Sequence, residues 1–272
     1  METPLFIENS PKLFGMMFLP EAEVRKSTAY LVIHPFAEEK KSAHRTLVEL
    51  SRQLYQHGCP VLMFDLRGCG DSEGDFGTVR LDEWLTDIHA AIGLLKSSAK
   101  CERLNLLALR FGAFLAQCYD REHPGDVTEH IWIEPVLKPA DYLRKSLRHK
   151  LMKELCTDGA VTSSRDGLLQ ELQGRKSIDF DGYEIGSGLY RDFLSPRYQD
   201  VDPAKTENGK KGLLVSVSLN GKMSKSVQEA AALYPEMQTL CLQMELFWNK
   251  VDDTDSDLLT ESICNHIIKG NL

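Results

Sequence analysis

The sequence predicts an α/β fold in which a mostly parallel sheet carries helices on both faces. Two observations support this prediction. From about residue 28 onward, strand-like and helix-like segments alternate along the chain, which is typical of a parallel sheet flanked by helices. The strand-like segments are short, rich in leucine or β-branched residues and bounded by polar or turn residues, as expected for buried strands.

The strands are predicted in order along the chain. Two apolar runs that flank Ser10-Pro11 indicate an antiparallel hairpin that opens the sheet. Six buried strands follow, which brings the sheet to eight strands. These six are predicted to end at Pro35, Arg67, Arg110, Val136, Ser218 and Leu246.

Helical patterns lie between these strands. In residues 44–58 the apolar side chains follow helical spacing, and Gly58 is placed to end the helix. Similar patterns cover residues 81–98, 111–123 and 255–270.

The stretch of residues 138–211 departs from this alternation. It is longer than a usual connection between strands, and it contains helical patterns instead of buried strands. We therefore predict a helical cap inserted after the sixth strand, with residues 1–137 and 212–272 as the two parts of one core domain. A polar segment, residues 202–212, is expected to return the chain to the sheet. The helical patterns of this cap segment span residues 140–156, 164–174 and 186–194.

The composition of the chain limits which kinds of binding partner and which cellular location we expect. The net charge is −8 and no block of like charge is present, which argues against a nucleic-acid partner. The first residues lack the pattern of a secretory signal, and no apolar run approaches the roughly 18 residues of a membrane span. We therefore expect a soluble, cytoplasmic protein. The seven cysteines occur singly, without a Cys-x-x-Cys pair, so neither a metal site nor a cofactor is predicted.

A glycine-rich segment, FDLRGCGDSEGDF at residues 64–76, follows the strand that contains Asp65. Its glycines are placed for tight turns. The segment resembles the loop after the fourth strand in serine hydrolases of the α/β-hydrolase superfamily. The resemblance implies an α/β-hydrolase-type sheet of eight strands, and it marks Ser72 as a loop residue rather than a nucleophile.

In that superfamily the fifth strand ends in a Gly-x-Ser-x-Gly turn that exposes a nucleophilic serine. The corresponding positions here hold Ala108, Arg110 and Gly112. Because a guanidinium stays protonated, Arg110 is excluded as a nucleophile or general base. The expected acid position holds Asn220, and the only later histidine, His266, lies within a helical pattern. We therefore predict that the standard Ser-His-Asp triad is absent, and catalytic residues stay unassigned.

Arg110 is expected at the carboxyl edge of the sheet, where a helix begins. The helix dipole, the amides of Phe111 and Gly112 and the guanidinium together favour a small-molecule ligand that carries a carboxylate or phosphate. The alternative is an internal ion pair, and the two interpretations are compatible if a ligand displaces one partner. The carboxylates predicted near this edge belong to Glu38, Glu39, Glu134 and Asp65.

The loop after the third strand completes the candidate site. The amides of Phe36 and Ala37 are expected to face the turn, whereas His34 is interpreted as structural. Trp132 and Trp248 either line the cleft or fill the core. The candidate ligand-binding residues are Arg110, Phe111, Gly112, Phe36, Ala37, Glu38, Glu39, Glu134, Trp132 and Trp248.

Several short motifs resemble a narrower group, the second hydrolase-like family associated with exosortase A exopolysaccharide systems. The motifs are Pro35-Phe36-Ala37-Glu38-Glu39, then Leu109-Arg110-Phe111-Gly112, Trp132-Ile133-Glu134-Pro135 and Phe247-Trp248. The resemblance covers most of the chain, including the cap segment. It implies the fold, and it implies proteins of an exopolysaccharide system as partners.

Three functions remain open from the sequence. The first is a pseudoenzyme that binds an anionic metabolite or a lipid-linked saccharide under the cap. The second is an esterase or thioesterase with a displaced nucleophile, and the third is a scaffold or regulatory protein. The displaced nucleophile would be Ser42, Ser218 or Cys69, with His34 as its base.

Overall fold

An eight-stranded sheet forms the centre of this computed structural model. The structure describes residues 1–158, 167, 170, 172, 174, 177–180, 182–199, 210–250 and 255–268. The strands of the chain are β1 (Glu2–Ile7), β2 (Leu13–Phe18), β3 (Thr28–Ile33), β4 (Val61–Phe64), β5 (Arg103–Leu109), β6 (Glu129–Ile133), β7 (Ile178–Phe180), β8 (Tyr183–Ile185), β9 (Gly212–Ser218) and β10 (Met237–Gln243). In the main sheet they are ordered β1-β2-β4-β3-β5-β6-β9-β10.

The strand directions match the prediction of a mostly parallel sheet. β2 pairs antiparallel with β1 and with β4, and the pairings from β4 through β3, β5, β6 and β9 to β10 are parallel. The hairpin predicted around Ser10-Pro11 is therefore confirmed. Strands that were predicted to end at Pro35, Arg67 and Val136 end two or three residues earlier, because the polar residues after them form the turns and loops of the carboxyl edge.

Helices cover both faces of the sheet, as predicted. They are α1 (Glu38–Gln56), α2 (Leu81–Ala99), α3 (Phe111–Glu122), α4 (Pro139–Asp158), α5 (Ser187–Leu194), α6 (Pro196–Gln199), α7 (Lys225–Leu233) and α8 (Asp257–Ile268), with a short 3₁₀ helix at Phe247–Asn249. Buried side chains of α1 and α8 pack into one apolar core, and those of α2, α3 and α7 pack into the other. None of the helices in the described part of the chain is both long and apolar enough to cross a membrane.

Helix α1 begins earlier than the apolar pattern of residues 44–58 indicates. It starts at Glu38, directly after Ala37. The first turn contains the polar residues Glu38 and Glu39, which do not contribute to the apolar pattern from which the helix was predicted. They nevertheless favour a helix N-terminus, because their negative charge complements the helix dipole. The longer helix brings these two carboxylates to the carboxyl edge of the sheet.

The cap segment contains a feature that the sequence prediction missed. Between its helices, β7 and β8 form an antiparallel hairpin, which corrects the prediction of helical patterns alone. Ile178 and Phe180 are buried while Asp179 is exposed, and the Asp179 carboxylate accepts a hydrogen bond from the amide of Gly182 in the turn. Strands of three residues are too short to show a clear alternation. The predicted helix over 164–174 and the polar segment over 202–212 lie largely outside the described residues.

Candidate functional site

The turn between β5 and α3 places Arg110 at the carboxyl edge of the sheet. Arg110 adopts φ 56° and ψ −115°, a backbone conformation that is uncommon for a residue with a side chain. Its amide donates a 2.9 Å hydrogen bond to the carbonyl of Ile133, and its carbonyl accepts one of 3.0 Å from the amide of Val136. The turn is therefore held from the neighbouring strand end, which stabilises the strained conformation.

Gly112 allows this turn to lie against the end of β3. A Cβ atom at this position would come within 2.3 Å of the carbonyl oxygen of Ile33 and within 2.8 Å of that of His34. Any side chain would therefore push α3 away from the strand. The close approach brings the loop of Phe36 and Ala37 next to the helix N-terminus.

Backbone strain is concentrated at this edge of the sheet. Besides Arg110, Ala37 (φ 50°) follows β3 and Glu134 (φ 46°) directly follows β6. Three adjacent strands thus end in, or close to, a non-glycine residue with positive φ. Such residues persist only where the surroundings hold them, and they cluster at functional sites.

The Arg110 side chain forms an ion pair inside this edge. Its Nη2 donates to the Oε1 of Glu39 at 3.2 Å. The guanidinium also lies 5.3 Å from the ring centroid of Trp248 and 5.9 Å from that of Tyr142, close enough for cation–π attraction. Its Nε–H is buried and has no acceptor among the described residues. The Nε–H group of the partly buried Arg110 is therefore left to donate a hydrogen bond to another partner.

Electrostatics keep the Arg110 guanidinium charged. Burial opposes the charge of Arg110, but the nearby acidic groups, Glu39 foremost, together outweigh the loss of solvent, and the pKa of Arg110 lies above its ordinary value. Burial, together with the charge of Glu39, raises the pKa of Tyr142 well above its usual range. Tyr142 is therefore a neutral hydroxyl beside a charged pair. The sequence did not single it out, because nothing local distinguishes a tyrosine that faces the site from other residues of the cap segment.

Glu134 was predicted as a candidate partner of Arg110 and is engaged elsewhere. Its Oε1 accepts hydrogen bonds from the Ser216 hydroxyl at 3.1 Å and the Val217 amide at 2.8 Å, and its Oε2 accepts one from the Ser226 hydroxyl at 3.0 Å. These bonds satisfy a carboxylate that is only 5% exposed. Glu134 contributes to Arg110 only through its charge, which raises the pKa of the arginine.

The other two predicted carboxylates also have different partners. Glu38 lies 3.4 Å from Lys41 Nζ, and Asp65 lies 2.7 Å from Lys40 Nζ. Of the four carboxylates considered, the structure pairs Glu39 with Arg110. The prediction that Arg110 forms an internal ion pair is therefore correct for Glu39.

Aromatic side chains pack around the Arg110 turn. The ring of Phe36 lies 5.2 Å from that of Phe111 and 6.0 Å from that of Tyr142, and Phe36 and Phe111 are almost fully buried. These two side chains contribute to the candidate site as packing. That their backbone amides face a ligand stays a prediction. The amides of Phe111 and Gly112 lie in the first turn of α3, where the helix itself offers no acceptor.

The two tryptophans have different positions. Trp248 is buried in the 3₁₀ helix and lies beside the Arg110 guanidinium, whereas Trp132 is fully buried within β6, where its ring packs on Tyr234 and His130. The core-filling interpretation therefore applies to Trp132, whereas Trp248 is the tryptophan beside Arg110. The sequence placed both at strand ends, but β6 continues one residue beyond Trp132.

The alternative pairing of a displaced nucleophile with His34 is not assembled. His34 Nδ1 donates to the carbonyl of Pro35 at 2.8 Å, and its Nε2 accepts from the amide of Leu66 at 3.4 Å. Burial, with a further contribution from the charge of Lys40, lowers the pKa of His34 to about 4. Within the described part of the chain, no hydrogen bond joins this imidazole to Ser42, Ser218 or Cys69.

The other positions examined for a triad also form local contacts. Ser72 donates to the carbonyl of Asp65 at 2.6 Å, as expected for a loop residue. Asn220 accepts from the amide of Lys222 at 3.0 Å in the turn after β9. His266 lies in α8, the helix that packs on α1.

Comparison with known proteins agrees with this architecture. The family model of the serine aminopeptidases, S33, matches residues 29–179, which is more than half of the chain. Comparison with curated protein sequences gives no match. Among solved structures, the chain is similar to Est1E from Butyrivibrio proteoclasticus with bound ferulic acid, at 17% identity and a TM-score of 0.71, covering 97% of this chain and 98% of Est1E.

Two further solved structures have the same fold. Mouse alpha/beta hydrolase domain-containing protein 10 has 14% identity and a TM-score of 0.62, with 98% of this chain and 99% of the mouse chain covered. An α/β serine hydrolase without a lid from Xanthomonas campestris has 15% identity and a TM-score of 0.59, with 99% and 94% covered. At this level of identity the similarity establishes the α/β-hydrolase fold. Together with the family match, it shows that the chain belongs to the serine aminopeptidase S33 family of α/β-hydrolase-fold proteins.

Proposed function

We propose that the chain is a family member without a serine triad that binds a small anionic molecule at the turn of Arg110. The observation that carries the proposal is the Arg110 guanidinium, which is paired with Glu39 through Nη2 while its buried Nε–H has no acceptor among the described residues. A carboxylate or phosphate accepts such a donor better than a neutral group does. The N-terminus of α3, with the amides of Phe111 and Gly112, adds a second attraction for an anion.

The absence of ordinary hydrolysis is part of the proposal. Arg110 occupies the strand-to-helix turn, and an arginine lacks the lone pair that a nucleophile needs at neutral pH. Both nitrogens of His34 are engaged by the backbone, so it is a poor base for a displaced serine or cysteine.

The sequence resemblance supports a class of ligand. The motifs around Phe36, Arg110 and Trp248 resemble the exosortase-associated family, so we place the ligand among anionic intermediates of exopolysaccharide metabolism. On this proposal the cap segment, residues 138–211, covers the ligand, and Tyr142 contributes a neutral hydroxyl beside the anion. Proteins of the same exopolysaccharide system are the partners that the resemblance favours.

The first experiment tests hydrolysis. The purified full-length chain is incubated with short acyl esters and thioesters, with and without a serine-directed and a cysteine-directed inhibitor. The proposal expects no turnover above background. Turnover that either inhibitor abolishes would establish a displaced nucleophile and overturn this part of the proposal.

The second experiment tests anion binding by thermal shift. The probes are inorganic phosphate, glucose 1-phosphate and ferulate, the last because Est1E contains bound ferulic acid. We expect at least one probe to raise the Tm of the wild type and of Arg45→Ala, in which a more exposed arginine on α1 is removed. The same probe should leave the Tm of Arg110→Ala unchanged. A shift that persists in Arg110→Ala, or no shift in any protein, would indicate that the turn is not an anion site.

A further inference from the structure

Two histidines and an aspartate meet on the surface between α2 and α3. His89 lies within α2, His123 follows the last residue of α3, and Asp126 belongs to the next turn. One ring nitrogen of each histidine and one carboxylate oxygen of Asp126 lie within 4.8 Å of one another. Because α3 begins beside Arg110 and has 12 residues, it carries His123 about 18 Å away. The cluster is therefore separate from the anion site.

Tyr119 holds two members of this cluster in place. Its hydroxyl donates a 2.9 Å hydrogen bond to Asp126 Oδ2 and lies 3.0 Å from Nδ1 of His89. Since the hydroxyl proton is directed to Asp126, the oxygen accepts the proton of His89 Nδ1, which leaves a lone pair on Nε2. Metal-binding histidines commonly have their second nitrogen fixed by an oxygen in this way.

His123 is positioned by ring stacking. Its imidazole lies 4.5 Å from the Tyr119 ring and 4.8 Å from the His89 ring, at interplanar angles of 25° and 23°. The amide of Asp126 bonds to the carbonyl of His123 at 3.3 Å, which closes the turn between them. The short turn therefore presents an imidazole and a carboxylate to the same point.

Solvent reaches the cluster. A surface pocket of about 250 Å³ is lined in part by His89 and His123, and His89 is exposed. An ion can therefore enter without any unfolding.

We propose that His89, His123 and Asp126 bind a divalent transition-metal ion such as Zn²⁺, Co²⁺ or Ni²⁺, with water completing the coordination shell. Two imidazoles and one carboxylate form a ligand set that suits these ions. Mg²⁺ and Ca²⁺ prefer oxygen ligands and are disfavoured. The sequence did not indicate this set, because its histidines lie in different elements and no Cys/His motif accompanies them.

Lys96 competes with the ion for Asp126. Its Nζ lies 2.9 Å from Asp126 Oδ1, so it neutralises the carboxylate before the ion arrives. Binding of a dication moves this ammonium away, both because it loses its acceptor and because like charges repel. Removal of the ammonium in Lys96→Met should therefore strengthen binding of the ion.

The test uses Co²⁺ as the probe with untagged full-length protein. Titration calorimetry and visible absorption should show one Co²⁺ per chain in the wild type. His89→Ala and His123→Ala should each weaken binding at least about tenfold, because each removes one of three protein ligands. His57→Ala, which removes an exposed histidine at the end of α1, is the matched control and should bind like the wild type.

Other outcomes would overturn the proposal. Strong near-ultraviolet charge-transfer absorption would indicate cysteine ligation, and equal binding by wild type and the His89→Ala/His123→Ala double variant would place the ion elsewhere. Weaker binding by Lys96→Met than by wild type would contradict coordination by Asp126. Loss of binding in His57→Ala as well would indicate unspecific association with surface histidines.

Discussion

Arg110 shows how a cation is accommodated at a partly buried position. Its side chain is 22% exposed and that of Glu39 is 16% exposed, so both charged groups have lost much of their contact with water. The attraction between the two charges offsets much of that loss. The rings of Tyr142 and Trp248 face the guanidinium and add attraction without adding a second carboxylate. Among four carboxylates near one edge, sequence position did not identify the partner, because the pairing depends on where each side chain points. The added first turn of α1 brings Glu39 to the guanidinium.

Glu39→Gln should destabilise the protein by about 2 kcal/mol. The change removes the charge that compensates Arg110 but keeps the size of the side chain, and breaking one half of a buried pair is costly. Urea unfolding followed by circular dichroism measures the loss. Glu38→Gln is the control, since Glu38 is more exposed and its ion pair is with the exposed Lys41, and its effect should stay below about 0.5 kcal/mol. Equal losses in the two variants would contradict a specific role of Glu39.

His34 should make stability depend on pH. Burial, and next the charge of Lys40, lowers the pKa of His34 to about 4, whereas an unfolded histidine titrates near about 6.5. Between these values the unfolded state binds more protons than the folded state. The contribution of His34 is therefore complete above about pH 6.5 and is lost as the pH falls towards 4, with a slope of up to about 1.4 kcal/mol per pH unit.

This slope is measured by urea unfolding at pH 7, 6 and 5. His34→Gln should show a smaller loss of stability on acidification, because glutamine does not titrate and still offers an acceptor to the Leu66 amide. His57→Gln, which changes an exposed histidine, should retain the slope of the wild type. A slope that is unchanged in His34→Gln would assign the acid sensitivity to other groups.

At the scale of elements, the site depends on how strands end and helices begin. Arg110 and Ala37 each adopt a positive φ directly before a helix, and Glu134 does so directly after β6. The sequence predicted the elements on both sides of these turns from their periodicity. It placed several strand ends two or three residues too late, because these strands run directly into turns and loops, and periodicity does not report φ.

Gly112→Ala should destabilise the protein by more than about 2 kcal/mol. The new methyl group would meet the backbone oxygens of Ile33 and His34, and a backbone atom yields less readily than a side chain. Gly93→Ala in α2 is the matched control, since nothing lies within 4 Å of its added Cβ. There the better helix propensity of alanine should stabilise by about 0.5–1 kcal/mol. Thermal and urea unfolding of both variants measure the change in the free energy of unfolding, which should be a decrease for Gly112→Ala and an increase for Gly93→Ala.

For the whole molecule, the cap segment is joined to the core through a buried carboxylate. Asp192 of α5 accepts a 2.7 Å hydrogen bond from Nε of Arg80 and a 3.0 Å bond from the amide of Leu81 at the start of α2. Phe193, next to it, packs on Phe111 at 5.2 Å. At α5 the cap segment is thus attached to the core by both polar and aromatic contacts.

Asp192→Ala should open the cap segment locally. Loss of the carboxylate leaves Arg80 and the Leu81 amide without this acceptor, so the rate of proteolytic cleavage within residues 138–211 should rise about fivefold or more. Arg191→Ala, an exposed neighbour on the same helix, should be cleaved like the wild type. Limited proteolysis with mass spectrometry of the fragments gives both rates. Faster cleavage in the core domain instead would indicate global rather than local destabilisation.

The sequence by itself determined the α/β architecture, the eight-stranded sheet and the position of Arg110 at a strand-to-helix turn. These features follow from apolar periodicity and turn residues, which are local properties of the chain. Only the tertiary structure decided that Glu39 is the partner of Arg110, that Trp132 fills the core and that His89, His123 and Asp126 meet. Each of these depends on residues from different elements. The physical reason is that burial and pairing are set by the approach of whole elements, and no local pattern encodes that approach.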